Sequence, residues 1–240
     1  SNGVAILNSN AELIRTMSDA NGSLPDRRVY AAAVDKEGLV WLGTGQGACY
    51  FSDVQGQAVR PIVEGRFLLS DERVNAIAID GGNRKWFGTQ RGLWLFNEEG
   101  DEALANFTTD NAPLPSNIIR NLSWDEVSGE LFIATDAGLV SFRTDASKGE
   151  EQAKSIKIFP NPVQPEFIGL VGITQLVNQA SVKIITADGK LIKQLNANGG
   201  TAAWDLTNFK NEKVKSGVYF VLTASGDGVE KKAGKIIVVR

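Results

Sequence analysis

The sequence predicts an all-β chain: a partial β-propeller of about three four-stranded blades plus the remnant of a fourth, followed by an immunoglobulin-like β-sandwich. Three observations carry this expectation. A pattern recurs about every 45 residues between positions 29 and 142. The stretch 144–155 is polar and without period, and reads as a linker. Beyond it, residues 156–240 hold about seven short alternating apolar runs broken by Gly, Asn and Asp turns.

The propeller part is expected over residues 1–143, and its opening Gly3-Val4-Ala5-Ile6-Leu7-Asn8 matches Gly92-Leu93-Trp94-Leu95-Phe96-Asn97, the third strand of a later copy. The chain thus starts inside a blade, and three and a half blades fall short of the about four to eight that close a ring. It is therefore expected to be the C-terminal piece of a longer protein. The first full copy, 29–51, runs from an alternating segment ending in Asp35, through a tight turn, to Trp41-Leu42-Gly43-Thr44 and on to Phe51. The second, 74–96, places Asp80 45 positions after Asp35, with Trp86, Gly88 and Thr89 in step. The third, 119–142, keeps the step to Asp125 and then gains one residue in the turn Glu126-Val127-Ser128-Gly129, so that Thr135 falls 46 after Thr89. An insertion costs little there. Val59–Val63 and Ala103–Thr108 are expected to supply outer strands, and the third copy has no evident fourth strand.

The recurring residues have physical reasons. An Asp at the end of a strand accepts hydrogen bonds from the amides just ahead of it, and Gly supplies positive φ where the chain reverses. Turn capping thus accounts for Asp35, Asp80 and Asp125 better than a metal or acid–base role. Gly43-Thr44-Gly45-Gln46-Gly47 has neither the Lys nor the following helix of a phosphate-cradling loop and reads as a turn. Trp41 and Trp86 share one inner position in successive copies and read as inter-blade core. Trp94 replaces Cys49 at the equivalent position and is less bound by the repeat. With Arg91 in the turn before it, Trp94 is the candidate for a propeller contact.

In the sandwich part, 156–240, strands are expected at Ile156–Phe159, Val171–Gln175, Ser181–Thr186, Leu191–Leu195, Thr201–Asp205, Gly217–Ala224 and Ala233–Val239, with Asp188-Gly189 as a hairpin signal. Composition narrows the chemistry. There is no His, which removes the commonest general base, zinc ligand and pH switch, and the single Cys49 can form neither an internal disulfide nor a multi-thiolate site. The 25 Lys and Arg against 28 Asp and Glu leave no basic excess for a nucleic-acid backbone. No nucleophile stands with a base, no metal-ligand cluster and no transmembrane segment is visible, and the chain is read as non-enzymatic, without cofactor or metal.

The copies, with their Asp, Trp-Leu-Gly-Thr or Trp-Phe-Gly-Thr, and Phe, resemble the two-component-regulator propeller repeat found in extracellular sensor regions and surface proteins. Residues 156–240 resemble the C-terminal sorting domain of the type IX secretion system. The residues that carry this are Phe159-Pro160-Asn161-Pro162, Asp188-Gly189-Lys190, Trp204-Asp205, Ser216-Gly217-Val218-Tyr219 and the closing Lys235-Ile236-Ile237-Val238-Val239-Arg240. The resemblance implies an exported protein, at the cell surface or outer membrane or secreted, whose sorting or docking signal includes Gly189, Lys190, Gly217, Tyr219, Lys235 and Arg240. It also implies the secretion machinery or a sortase-like protease as partner, and lipopolysaccharide or another glycan. Two alternatives stand beside a surface adaptor: a secreted cargo protein with a polysaccharide-binding propeller and a cleavable sorting tag, or a fragment of a surface polysaccharide-degrading enzyme. The resemblance has two departures, Leu206 and Asn211, which stand where sorting domains carry Gly. Leu is strained in the left-handed conformation, so the loop before Val214 is expected to differ. The last strand alternates charged and apolar residues, a pattern that strand addition at an exposed sheet edge can read.

Overall fold

The computed structural model describes residues 3–150, 155–224 and 230–240, and every regular element among them is a β-strand. The chain divides into two compact units. One comprises Ser1–Ile79, Asn83–Asp125 and Glu130–Phe142, and the other Asp80–Gly82, Glu126–Gly129 and Arg143–Arg240. Among the described residues no helix is long and apolar enough to cross a membrane.

The first unit is a row of blade sheets. Strands β1 (Val4–Leu7) and β2 (Leu13–Met17) pair antiparallel, as the third and fourth strands of a blade would. Strands β3 (Val29–Val34), β4 (Val40–Thr44) and β5 (Gly47–Phe51) form the next sheet. Its expected outer strand is reduced to one bridge between Val59 and Tyr50. Pro61 interrupts the ladder there, having no N–H to give. Glu64 and Gly65, both at positive φ, then fold β6 (Ile62–Val63) back on β7 (Arg66–Phe67) as a separate hairpin. Strands β8 (Val74–Ile79), β9 (Lys85–Thr89), β10 (Leu93–Phe96) and β11 (Ala103–Phe107) make the one complete four-stranded blade among the described residues. The third copy, β12 (Ile119–Asp125), β13 (Glu130–Thr135) and β14 (Gly138–Arg143), has three strands.

The repeated residues hold repeated bonds. In each turn between the second and third strands a Thr hydroxyl donates to the carbonyl three residues on and accepts the amide two residues on. Thr44 does so with Gly47 and Gln46, Thr89 with Gly92 and Arg91, and Thr135 with Gly138 and Ala137. The glycine before each of the first two threonines lets the next blade approach. A Cβ on Gly43 would lie 2.7 Å from Val74 Cγ1, and one on Gly88 2.5 Å from Ile119 Cγ2. Gly88→Ala is accordingly expected to overpack this contact and destabilise the unit by about 1–3 kcal/mol, measured by urea unfolding.

Trp41 and Trp86 are fully buried, each against the following copy: Trp41 with Val74, Ile77, Phe87 and Phe96, and Trp86 with Ile119, Leu122 and Leu131. Cys49 lies with Met17, Leu24, Leu42 and Phe51, and burial pushes its thiol pKa up to about 12.

The second unit is a sandwich of two antiparallel sheets. Strands β15 (Lys157–Phe159) and β16 (Val171–Thr174) belong to one sheet, ordered β15-β16-β19 with β19 at Thr201–Trp204. Strands β17 (Ser181–Ile185), β18 (Leu191–Asn196), β20 (Gly217–Ala224) and β21 (Glu230–Val238) form the other, ordered β18-β17-β20-β21. The last strand begins at Glu230 rather than Ala233 because a register shift opposite Val221 and Leu222 breaks its alternation. Inward residues such as Val171, Ile173, Val182, Ile184, Val221 and Ile236 fill the space between the sheets around Trp204. Within the stretch read as a linker, Ser147 bridges Gly199 and Glu150 bridges Val177. Its positions 151–154 lie outside the described residues.

Candidate functional site

The quoted sandwich residues gather at one end of the four-stranded sheet. Ile185 pairs with Phe220 and Phe220 with Lys235, while Gly217 pairs with Val238. This register puts the 186–190 hairpin, the start of β20 and the chain's last residue at the same end. In the hairpin Gly189 takes φ 85°, a left-handed value that suits a residue without Cβ. The Thr186 hydroxyl accepts the Lys190 amide at 3.1 Å and donates to the Lys190 carbonyl at 3.2 Å. The nearby Thr186 hydroxyl holds the Asp188 carboxyl below its ordinary pKa. Lys190 is exposed and presents its charge to solvent.

At β20, Tyr219 points inward, packs edge-on against Trp204 at 5.5 Å and donates its hydroxyl to the Lys215 carbonyl at 2.8 Å. Burial raises its pKa. Gly217 and Lys235 lie exposed on their strands. Ser216 fastens Arg240, accepting its amide at 2.9 Å and donating to its carbonyl at 3.1 Å. Tyr219 is thus a core residue, whereas Gly189, Lys190, Gly217, Lys235 and Arg240 are surface residues of one sheet.

The edge of β21 corrects one expectation. Over 235–239 it is covered, and strand addition has no free ladder there. The Asn161 amide donates to the Lys235 carbonyl at 2.8 Å and accepts the Ile237 amide at 3.0 Å. Val163 donates to the Ile237 carbonyl at 2.8 Å and accepts the Val239 amide at 2.9 Å. The loop around the two departures is the second correction. Leu206 and Asn211 take φ of 60° and 59°, the left-handed values a glycine would adopt, so the loop keeps that conformation. The Leu206 side chain is buried in the sandwich core, and its burial offsets the strain. Nearby, Trp204 donates to the Thr207 carbonyl at 2.9 Å, and Asp205 accepts the Thr207 hydroxyl at 2.7 Å. Burial pushes the Asp205 pKa up, but the hydroxyl and amide of Thr207 outweigh it and the net shift is downward.

On the propeller, Trp94 is half-buried against the cluster around Trp41 and Phe87, and its indole N–H is enclosed without a hydrogen-bond partner. Arg91 is exposed in the Thr89–Gly92 turn. Residues the sequence did not single out stand where the inner strands begin. Asp26 takes a two-pronged hydrogen bond from Arg28, which lowers the Asp26 pKa, and the Arg73 guanidinium lies 3.7 Å from the Tyr30 ring centroid. Tyr30 is 38% exposed, so this end of the unit offers an aromatic ring and arginines to solvent. Among the described residues no three His, Cys, Asp or Glu side chains stand close enough to hold a metal ion.

Comparison with known proteins agrees with the two-part reading. Residues 157–239 match the secretion system C-terminal sorting domain, and residues 23–46 the two component regulator propeller. The chain is 30% identical over 98% of its length to PorZ, an essential bacterial surface component of the type-IX secretion system of Porphyromonas gingivalis, with a TM-score of 0.62. It spans 32% of that protein. The extracellular domain of a hybrid two component system from B. thetaiotaomicron is 15% identical over 98% of this chain and 35% of its own, with a TM-score of 0.48. No curated protein matches the sequence. The sorting domain and the PorZ likeness mark an exported protein, destined for the cell surface, the outer membrane or the medium. The chain thus joins a match to the secretion system C-terminal sorting domain over residues 157–239 with a match to the two component regulator propeller over residues 23–46, and along its length it is similar to PorZ.

Proposed function

We propose that the protein is a non-enzymatic surface adaptor of the type IX secretion system, the propeller offering a rigid face to a partner protein or glycan and the sandwich acting as sorting and docking domain. The observation that supports this best is the 30% identity to PorZ running across both units rather than through the sandwich alone. On the propeller the face runs from Arg91 to the inner-strand end with Arg28, Tyr30 and Arg73, whose aromatic and guanidinium groups suit sugar rings, carboxylates and phosphates. On the sandwich the signal is the surface set Gly189, Lys190, Gly217, Lys235 and Arg240. The machinery itself or a sortase-like protease is the partner for that end.

The test is the mass of the C-terminal peptide of the mature protein recovered from the bacterial surface. An adaptor that works through its sandwich keeps residues 156–240 attached. Loss of everything after about residue 150 would make the sandwich a discarded tag and the protein a secreted cargo.

A further inference from the structure

Equivalent residues line the junctions between successive blades, and one junction is left unfilled. Where the first copy meets the second, Ala48, Leu68, Phe87 and Phe96 are buried and the Trp94 ring packs among them, its centroid 6.1 Å from that of Phe96. Where β1 and β2 meet the first copy, Met17, Leu42, Cys49 and Phe51 take the corresponding places. Ala58, whose amide donates to the Gly22 carbonyl at 2.9 Å, completes that cluster. Where the second copy meets the third, the matching residues are Leu93, Phe107, Ile133 and Phe142, and they line a cavity of about 240 Å³. Val140 stands there at the position of Trp94, and the chain beyond Phe142 passes into the second unit instead of returning as Ala58 does. The aromatic ring at this position shows the difference: Phe51 is 7% exposed and Phe96 2%, whereas Phe142 is 42% exposed.

The lining fixes the kind of occupant. It carries no Asp, Glu, Lys or Arg, and its one side-chain amide, that of Asn111, is spent on the Thr108 amide and the Asn106 carbonyl. A charged ligand would lose its water there without gaining a partner. Phe107 and Phe142 stand in its wall with ring centroids 5.7 Å apart, a spacing at which aromatic rings attract. An apolar cavity of about 150 Å³ is already enough to stay dry and take up benzene. We propose that the cavity between β10–β11 and β13–β14 binds a small, uncharged aromatic molecule of about the size of indole, held against Phe142 as Trp94 is held against Phe96. The second copy supplies this ring from its own strand, and the third takes it from solution. The site does not depend on the adaptor reading, because the cavity lies among the blades whichever partner the propeller face takes.

The experiment uses the full chain, with indole as probe and the methyl NMR signals of Ile133 and Val140 as readout. Both are expected to shift saturably, half-way at about 1 mM or below, while the methyls of Val182 and Ile184 in the sandwich stay in place. Indole-3-acetate, the same ring with a carboxylate, is expected to bind at least about tenfold more weakly. Val140→Trp installs the ring that the second copy carries, and binding followed on Ile133 is expected to weaken at least about tenfold. Absence of a saturable shift in the unaltered chain overturns the proposal. So does indole binding undiminished in Val140→Trp, and indole-3-acetate binding as tightly as indole overturns the uncharged class. If Val140→Trp does not fold, as its methyl spectrum would report, Ile133→Phe takes its place, copying Phe87. Binding followed on Val140 is then expected to weaken at least about threefold, and unchanged binding overturns the proposal equally.

Discussion

Lys85→Met is expected to destabilise the propeller unit by about 3–5 kcal/mol, because it removes one partner of a buried ion pair. Both side chains are almost wholly enclosed, with Lys85 Nζ 3.1 Å from Asp35 Oδ2 and 5.2 Å from the centre of the Trp41 ring. The ammonium also donates to the Asn83 carbonyl at 2.8 Å and to that of Glu98. Asp35 in turn accepts the Trp41 indole N–H on Oδ2 and the amides of Glu37 and Leu39 on Oδ1. One carboxylate therefore caps its own turn, orients the tryptophan and receives the next blade's cation.

The pH dependence gives the stronger test. Burial pushes the Asp35 pKa up, but the hydrogen bonds from Trp41 and Lys85 outweigh it, leaving it below the ordinary value. A depressed native pKa contributes stability above the unfolded value, about pH 4, that is lost as the pH falls through the native one. Without Lys85 the burial is unopposed by a cation and the native pKa is expected to rise above the unfolded one. The variant then loses stability as the pH rises through that raised value. Urea midpoints from pH 3 to 8 should accordingly converge at acid pH and separate toward neutrality. Parallel curves would show that the pair contributes nothing through its charge.

Leu206→Gly is expected to destabilise the sandwich by up to about 4 kcal/mol, although it restores the residue the family pattern carries. Glycine would relieve about 1–2 kcal/mol of left-handed strain. Against that stands the loss of a Leu side chain only 2% exposed, worth about 2–5 kcal/mol with the cavity it leaves. Asn211→Gly has no such burial to lose, since Asn211 is exposed and its side chain makes only a long 3.4 Å bond from Lys193. That change is expected to stay within about 0.5 kcal/mol of neutral. Equilibrium unfolding followed by the NMR amide signals of the sandwich strands separates the two, and equal effects at 206 and 211 would remove burial as the reason for the leucine.

The repeat was legible because turn chemistry is local. Asp35, Thr44 and Gly38 bond or bend within a few residues, so their spacing reappears in each copy whatever packs around it. Asn83 takes the place of Gly38 at φ 62°, and its side chain accepts the Lys36 amide from the copy before. The missed features are the ones decided between elements. Lys85 stands where the other copies have the apolar Val40 and Leu131, so the pattern marks the position as inward but not the partner that a charge there would meet. The outer strand at Val59–Val63 yielded to Pro61 and a two-residue turn, both visible in the sequence but outweighed by the apolar run. In the sandwich, Phe159-Pro160-Asn161-Pro162 was recognisable as a motif, yet its bonds to Lys235 and Ile237 span more than 70 positions. Pattern shows which residues recur, and contacts at that separation leave no period to read.

The buried Cys49 has a use that follows from its surroundings. It is the single thiol of the 240-residue chain, shared between the first blade pair and held protonated by burial. Since only the thiolate attacks alkylating reagents, the folded blade is chemically silent toward them, and modification of the chain counts the openings of that blade. The sequence thereby contains its own stopwatch for local unfolding, without a dye, a tag or an engineered residue.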